Sequence, residues 1–150
     1  MIKRIIFLIV FTGLLWSETR SWDSHSAYLL PQKQWDVGLF QPFRYGYADN
    51  VEYSVHPIWF FVVPNIAIKR SYSDFGGFKT AGRFKLLYPT PLLNMLSRSG
   101  IGGMIAPEFE MPPMLGFSAT WLMSKDLSGL DVTINGGVDL GLTAGDLDDR

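Results

Sequence analysis

The stretch Leu130-Asp-Val-Thr-Ile-Asn-Gly-Gly-Val-Asp-Leu-Gly-Leu-Thr-Ala144 has two unlike faces. Leu130, Val132, Ile134, Gly136, Val138, Leu140 and Leu142 occupy the even positions; Asp131, Thr133, Asn135, Gly137, Asp139, Gly141 and Thr143 occupy the odd ones. A period of two is the strand period, because successive side chains point to opposite faces of a sheet. Ordinary globular strands run roughly five or six residues, whereas a strand that crosses a bilayer needs about nine to eleven. The length and the aliphatic/polar division predict a membrane-barrel strand, greasy toward lipid and polar toward a lumen.

Working back from this stretch, similar alternation recurs. Residues 114–123 set Leu115, Phe117, Ala119, Trp121 and Met123 against Gly116, Ser118 and Thr120. Residues 78–88 set Phe78, Thr80, Phe84, Leu86 and Tyr88 against Lys79, Ala81, Arg83 and Lys85; cations at alternate positions suit a wetted face or an aqueous lumen. Residues 102–111, 66–72, 51–61 and 35–47 read as further strands, and 27–30 as a possible short one. Turns are expected at 31–34, 48–50, 64–65, 73–77, 112–113 and 124–129, with 89–100 the longest loop and one helical turn near 92–96. Pro57 lacks the amide proton of a ladder donor, so a strand end or bulge is expected there. The fold class expected is all-β: an antiparallel up-and-down meander of about seven to eight strands, forming all or part of a transmembrane β-barrel.

The 150 residues leave room for one domain, and a net charge of −1 gives no reason to expect a nucleic-acid partner. The chain has no cysteine, which excludes disulfides, thiolate metal sites and cysteine nucleophiles. Lys3 and Arg4 followed by an apolar run at 5–16 predict a signal peptide over 1–17, too short to span as a helix. Residues 18–34 then form a mature amino-terminal segment and turn, and 35–150 the barrel sheet.

Ala27-Tyr-Leu-Leu-Pro-Gln-Lys-Gln-Trp-Asp-Val-Gly-Leu39 and Arg44-Tyr-Gly-Tyr-Ala-Asp-Asn-Val-Glu-Tyr-Ser54 together resemble the start of Gram-negative outer-membrane β-barrel proteins. The match lies in the Leu30-Pro31-Gln32-Lys33 turn and in the hairpin marked by Tyr45-Gly46, Asp49 and Val51-Glu52. It covers 27–56 and is architectural afterwards. The resemblance implies export to the outer membrane, insertion by the barrel machinery, lipid as a partner, and a passive porin-like transport or structural surface role. Two departures stand out: such barrels often close on an aromatic-ended strand, absent here, and have an even strand number. Both lead to the expectation that this is the amino-terminal portion of a larger barrel.

Enzyme chemistry finds little to build on. His25 and His56 are the only histidines, and two isolated ones do not make a usual zinc set. Glu108 and Glu110 share a strand face about 7 Å apart, a spacing that paired carboxylates can use on sugars but that a wetted face also gives. Gly100, Gly102 and Gly103 lack the strand-before, helix-after context of a nucleotide loop. No enzyme activity, cofactor or metal is therefore expected. The charges expected to face a lumen are Arg44, Glu52, Lys69, Lys79, Arg83 and Lys85 on the earlier strands, with Asp36 beside them, and Glu108, Glu110, Asp131 and Asp139 on the later ones. Basic and acidic walls that face each other would pair across a narrow lumen or set a transverse field across a wide one, where a small polar solute could pass. Trp35, Tyr45, Tyr47, Trp59, Tyr72, Tyr88 and Trp121 are placed for an interfacial girdle. The alternative is a soluble periplasmic or secreted lipocalin-like barrel or sandwich that binds a hydrophobic ligand, with the opposite faces buried.

Overall fold

The computed structural model describes residues 24–38, 40–97, 111–128 and 130–145. Seven strands form one antiparallel sheet in sequence order. They are β1 (Trp35–Asp36), β2 (Phe43–Ala48), β3 (Val51–Val55), β4 (Asn65–Phe75), β5 (Phe78–Leu87), β6 (Met114–Leu127) and β7 (Leu130–Thr143). Two short helices, α1 (Pro57–Phe60) and α2 (Thr90–Leu96), lie in the connections. The sheet is an all-β meander that is not closed into a barrel: among the described residues β1 pairs only with β2, and β7 only with β6.

The connections differ at the two ends of the sheet. At one end the hairpins are tight: Asp49-Asn50 between β2 and β3, Gly76-Gly77 between β4 and β5, and the turn opened by Ser128 between β6 and β7. Gly76 and Gly77 lie at φ 59° and 78°, the left-handed conformation that a primed two-residue turn requires at both positions. At the other end the described connecting residues are 37–38 and 40–42, 56–64 with α1, and 88–97 with α2 together with 111–113. Thr90 clips the last of these, its hydroxyl accepting the Met114 amide at 2.7 Å.

The longest strands fall where the alternation is cleanest. β6 and β7 pair in continuous register from Met114↔Thr143 to Leu127↔Leu130. The expected turn at 124–129 shrinks accordingly, because β6 continues to Leu127 and its Ser124 hydroxyl meets Thr133 Oγ1 at 2.7 Å. β4 likewise extends to Phe75, so the expected turn at 73–77 reduces to the two glycines.

Four expectations fail for local reasons. The single strand expected over 35–47 is two strands, β1 and β2, folded on each other, with Trp35 opposite Tyr45. The connection between them contains Pro42, which has no amide proton for a ladder. The strand expected over 51–61 stops at Val55, because Pro57 sits in the first turn of α1, where its missing N–H is not needed. Pro57 is thus neither at a strand end nor at a bulge. Residues 27–30 form no strand; they cross one face of the sheet. The signal peptide expected at 1–17 and most of the strand expected at 102–111 lie outside the described residues, and Met111 belongs to no strand.

Candidate functional site

The register assigns every strand residue to a face. On one face, here called inner, lie Arg44, Glu52, Ala67, Lys69, Ala81, Arg83, Lys85, Ser118, Thr120, Leu122, Ser124, Thr133 and Asp139, partners across successive strands. The chain ahead of β1 runs over this face as a strap. Arg83 Nη1 donates to the Ser24 carbonyl at 3.2 Å. The Ala27 amide donates to Ser124 Oγ at 2.8 Å. Lys69 Nζ donates to the carbonyls of Ser26 and Tyr28 at 3.2 and 2.8 Å. The Leu30 amide donates to Glu52 Oε2 at 2.9 Å. The strap therefore runs from β5 and β6 across to β2 and β3, and inner polar side chains satisfy its backbone groups, as a buried backbone requires.

Beneath it lies a charged cluster. Arg44 meets Glu52 through Nε at 2.9 Å and Nη2 at 2.8 Å, the two-pronged geometry that a guanidinium offers a carboxylate. Lys69 Nζ lies 3.7 Å from Glu52 Oε1, and Asp36 lies 3.7 Å from Arg44 Nη1. Arg44, Glu52 and Lys69 are 3%, 1% and 2% exposed. A dry spot adjoins them: Ala27 of the strap packs on Ala81 and Leu122.

Gly46 explains why the strap can lie so low. A Cβ there would come 2.8 Å from the Leu30 carbonyl oxygen and closer still to that of Pro31. Lys33 takes φ 64° and donates its amide to Gly46 O at 2.7 Å, and the Gly46 amide returns to Gln34 O at 2.9 Å. The Leu30-Pro31 turn and the Gly46/Glu52 hairpin, two separate motifs in the sequence, are one packed unit.

The other lumen candidates are spread out. Lys79 pairs with Asp74 at 2.7 Å beside the tight turns, where both are more than half exposed. Lys85 reaches a hollow at the long-loop end. Asp131, opposite Asp126, and Asp139, opposite Ser118, are exposed on the edge strand β7. Glu108 and Glu110 lie outside the described residues. The structure therefore brings Arg44, Glu52 and Lys69 together, with Asp36, sets Arg83 and Lys85 on the wall of one hollow, and leaves Lys79, Asp131 and Asp139 apart from both. Sequence reading missed the strap and its anchors Ser24, Ser124 and Thr133; the one available signal was that Ser124 and Thr133 keep the polar parity of their strands.

The outer face carries the apolar side chains. Ile66, Ile68, Phe84, Leu86, Leu115, Phe117, Ile134, Val138, Leu140 and Leu142 are all exposed, Val138 and Leu142 by 61% and 62%. Phe84 stacks on Phe117 at 6.4 Å between ring centroids, and Tyr72 on Trp121 at 5.0 Å. The Tyr72 ring covers Gly82, 3.0 Å from where a Cβ would stand. Outward cations occur toward the tight-turn end: exposed Arg70, opposite Gly82, and Lys125, whose Nζ lies 5.2 Å over the Phe78 ring.

His56 donates its backbone amide to Asn65 Oδ1 at 2.8 Å, and its Nε2 lies 3.2 Å from the Phe40 carbonyl. It is a hydrogen-bonded residue at the start of α1. Among the described residues no group of three or more His, Asp or Glu is placed to hold a metal ion, and no helix is long and apolar enough to cross a membrane, which has no bearing on crossing by strands. No protein-family model, curated protein or solved structure matches the chain.

Proposed function

We propose that this chain forms part of the wall of an outer-membrane β-barrel, with a charged and strapped interior, and that it serves as a passive channel or a structural surface protein. The observation that carries this reading is the division of chemistry between the faces. From Leu115 to Ala119 on β6, and at the matching levels of β4, β5 and β7, every outward side chain is apolar, while Arg44, Glu52 and Lys69 are buried on the inner side. A soluble sandwich or lipocalin-like barrel buries its aliphatic face instead. A contiguous exposed apolar sheet face is what lipid covers.

Dimensions and ends agree with this. Leu115 to Met123 spans about 27 Å along an antiparallel strand at roughly 3.4 Å per residue, and a tilt near 40° brings that to about 21 Å, close to the apolar band of such barrels. Arg70, Lys125, Tyr72 and Trp121 lie toward one margin, where aromatic and cationic side chains meet headgroups. Tight turns at one end and long loops at the other match the periplasmic and external ends of a bacterial barrel. Among the described residues the fourteen residues of β7 pair on one side, and lipid does not tolerate open edges, so on this reading another strand covers the second side.

Fractionation of expressing cells tests the proposal. It predicts outer-membrane pelleting and heat-modifiable gel mobility; recovery in the soluble periplasmic extract favours the ligand-binding alternative. If the closed barrel conducts, replacing Lys79, Arg83 and Lys85 by glutamate shifts ion selectivity in planar-bilayer recordings; unchanged selectivity removes the channel role.

A further inference from the structure

One hollow on the inner face has chemistry that a strapped wall does not require. It holds about 170 Å3 at the long-loop end, between the strap and β3–β5, and its wall includes Ser24, Ser54, His56, Arg83 and Lys85. Among the described residues no carboxylate lines it. That separates it from the other inner cations: Arg44 and Lys69 share Glu52, and Lys79 has Asp74. Arg83 has a peptide carbonyl, that of Ser24, and Lys85 has no hydrogen bond or ion pair with a described residue. By register the nearest inward carboxylate to Lys85 is Asp139, opposite Ser118, which in turn opposes Lys85, and the nearest to Arg83 is Glu52, opposite Lys69 and held by Arg44 and Lys69. Each is two strands away, about 10 Å at the usual interstrand spacing. His56, on the same wall, has its Nδ1 buried without a partner.

Two cations at alternate positions of one strand stand about 7 Å apart at the backbone. Without a counter-charge they repel, and low-dielectric walls strengthen the repulsion. A multivalent oxyanion between them removes it and accepts hydrogen bonds from the guanidinium, the ammonium and the Ser54 hydroxyl. The volume equals about five or six bulk waters at roughly 30 Å3 each. That admits an ion of five heavy atoms with a water or two.

We propose that this hollow binds a small multivalent oxyanion of the phosphate or sulfate class, clamped between Arg83 and Lys85. The site does not depend on whether the outer face meets lipid. The full chain, folded in whichever phase fractionation finds it, is titrated with inorganic phosphate in a calorimeter at constant ionic strength. Saturable one-site binding is expected, with chloride a poor competitor. Lys85→Gln, which removes no bond to the protein, weakens binding at least tenfold, whereas Lys85→Arg keeps it. Ser54→Asp places a carboxylate on the wall and abolishes binding, giving a second variant should the first fail to fold. Absence of saturable heat, equal competition by chloride, or undiminished binding by folded Lys85→Gln or Ser54→Asp overturns the proposal. Because the fractionation result is read separately, loss of the membrane reading and loss of this site are distinguishable.

Discussion

Glu52→Gln probes the buried cluster with almost no change of shape. The native carboxylate, 1% exposed, accepts from Arg44 Nε and Nη2 at 2.9 and 2.8 Å and from the Leu30 amide at 2.9 Å, with Lys69 at 3.7 Å. The amide keeps the volume and one acceptor oxygen but removes the charge. Arg44 and Lys69 then remain buried as cations, with Asp36 3.7 Å from Arg44 Nη1. Breaking a buried pair by neutralising one partner costs about 3–5 kcal/mol, a large share of the roughly 5–15 kcal/mol that holds a domain together. Guanidinium unfolding followed by tryptophan fluorescence reads this as a drop in the midpoint at unchanged slope. Glu52→Leu should cost more still, because the Leu30 amide then also loses its acceptor. A loss below about 1 kcal/mol for Glu52→Gln, or a Glu52→Leu variant as stable as Glu52→Gln, refutes the reasoning.

Three further outcomes are expected. Gly46→Ala forces a methyl group into the Leu30 and Pro31 carbonyls, so it should lower stability by several kcal/mol and expose the strap to proteolysis; a folded, protease-resistant variant contradicts the packing. Ser124→Ala deprives the Ala27 amide and Thr133 of a partner; a cost of about 1–3 kcal/mol and faster hydrogen exchange at Ala27 are expected, and unchanged exchange counts against the strap. Phe84→Arg, at mid-height on the outer face, should cost about 2–4 kcal/mol in lipid, while Arg at position 72, near the margin, costs much less; equal costs contradict a bilayer.

The legible part of this fold is the part governed by parity. For β5, β6 and β7 the alternation placed side chains on faces that the register reproduces, and for Arg44, Glu52 and Lys69 it placed all three inward. Parity does not tell which inward charges meet. That needed the pairings Glu52↔Lys69 and Arg44↔Ser54, and these turn a supposed basic wall into a largely self-neutralised cluster. Parity also fails over short runs. Pro57 and Trp59 continue the parity of Val51, Tyr53 and Val55, yet the fixed φ of Pro57 suits a helix start equally well. The strap was illegible because its bonds span the chain: Ala27 and Ser124 are 97 residues apart, and nothing local to 24–30 encodes that contact.

The central claim, that the even face of β7 meets hydrocarbon and the odd face water, can be tested by a spin-label scan through positions 132–142 after reconstitution into vesicles. The native chain has no cysteine, so each introduced one labels singly. The account predicts a period-two alternation, with labels at 132, 134, 138, 140 and 142 relaxed by oxygen and those at 133, 135 and 139 by a water-soluble nickel complex. Uniform exposure to nickel, or the alternation inverted, contradicts it.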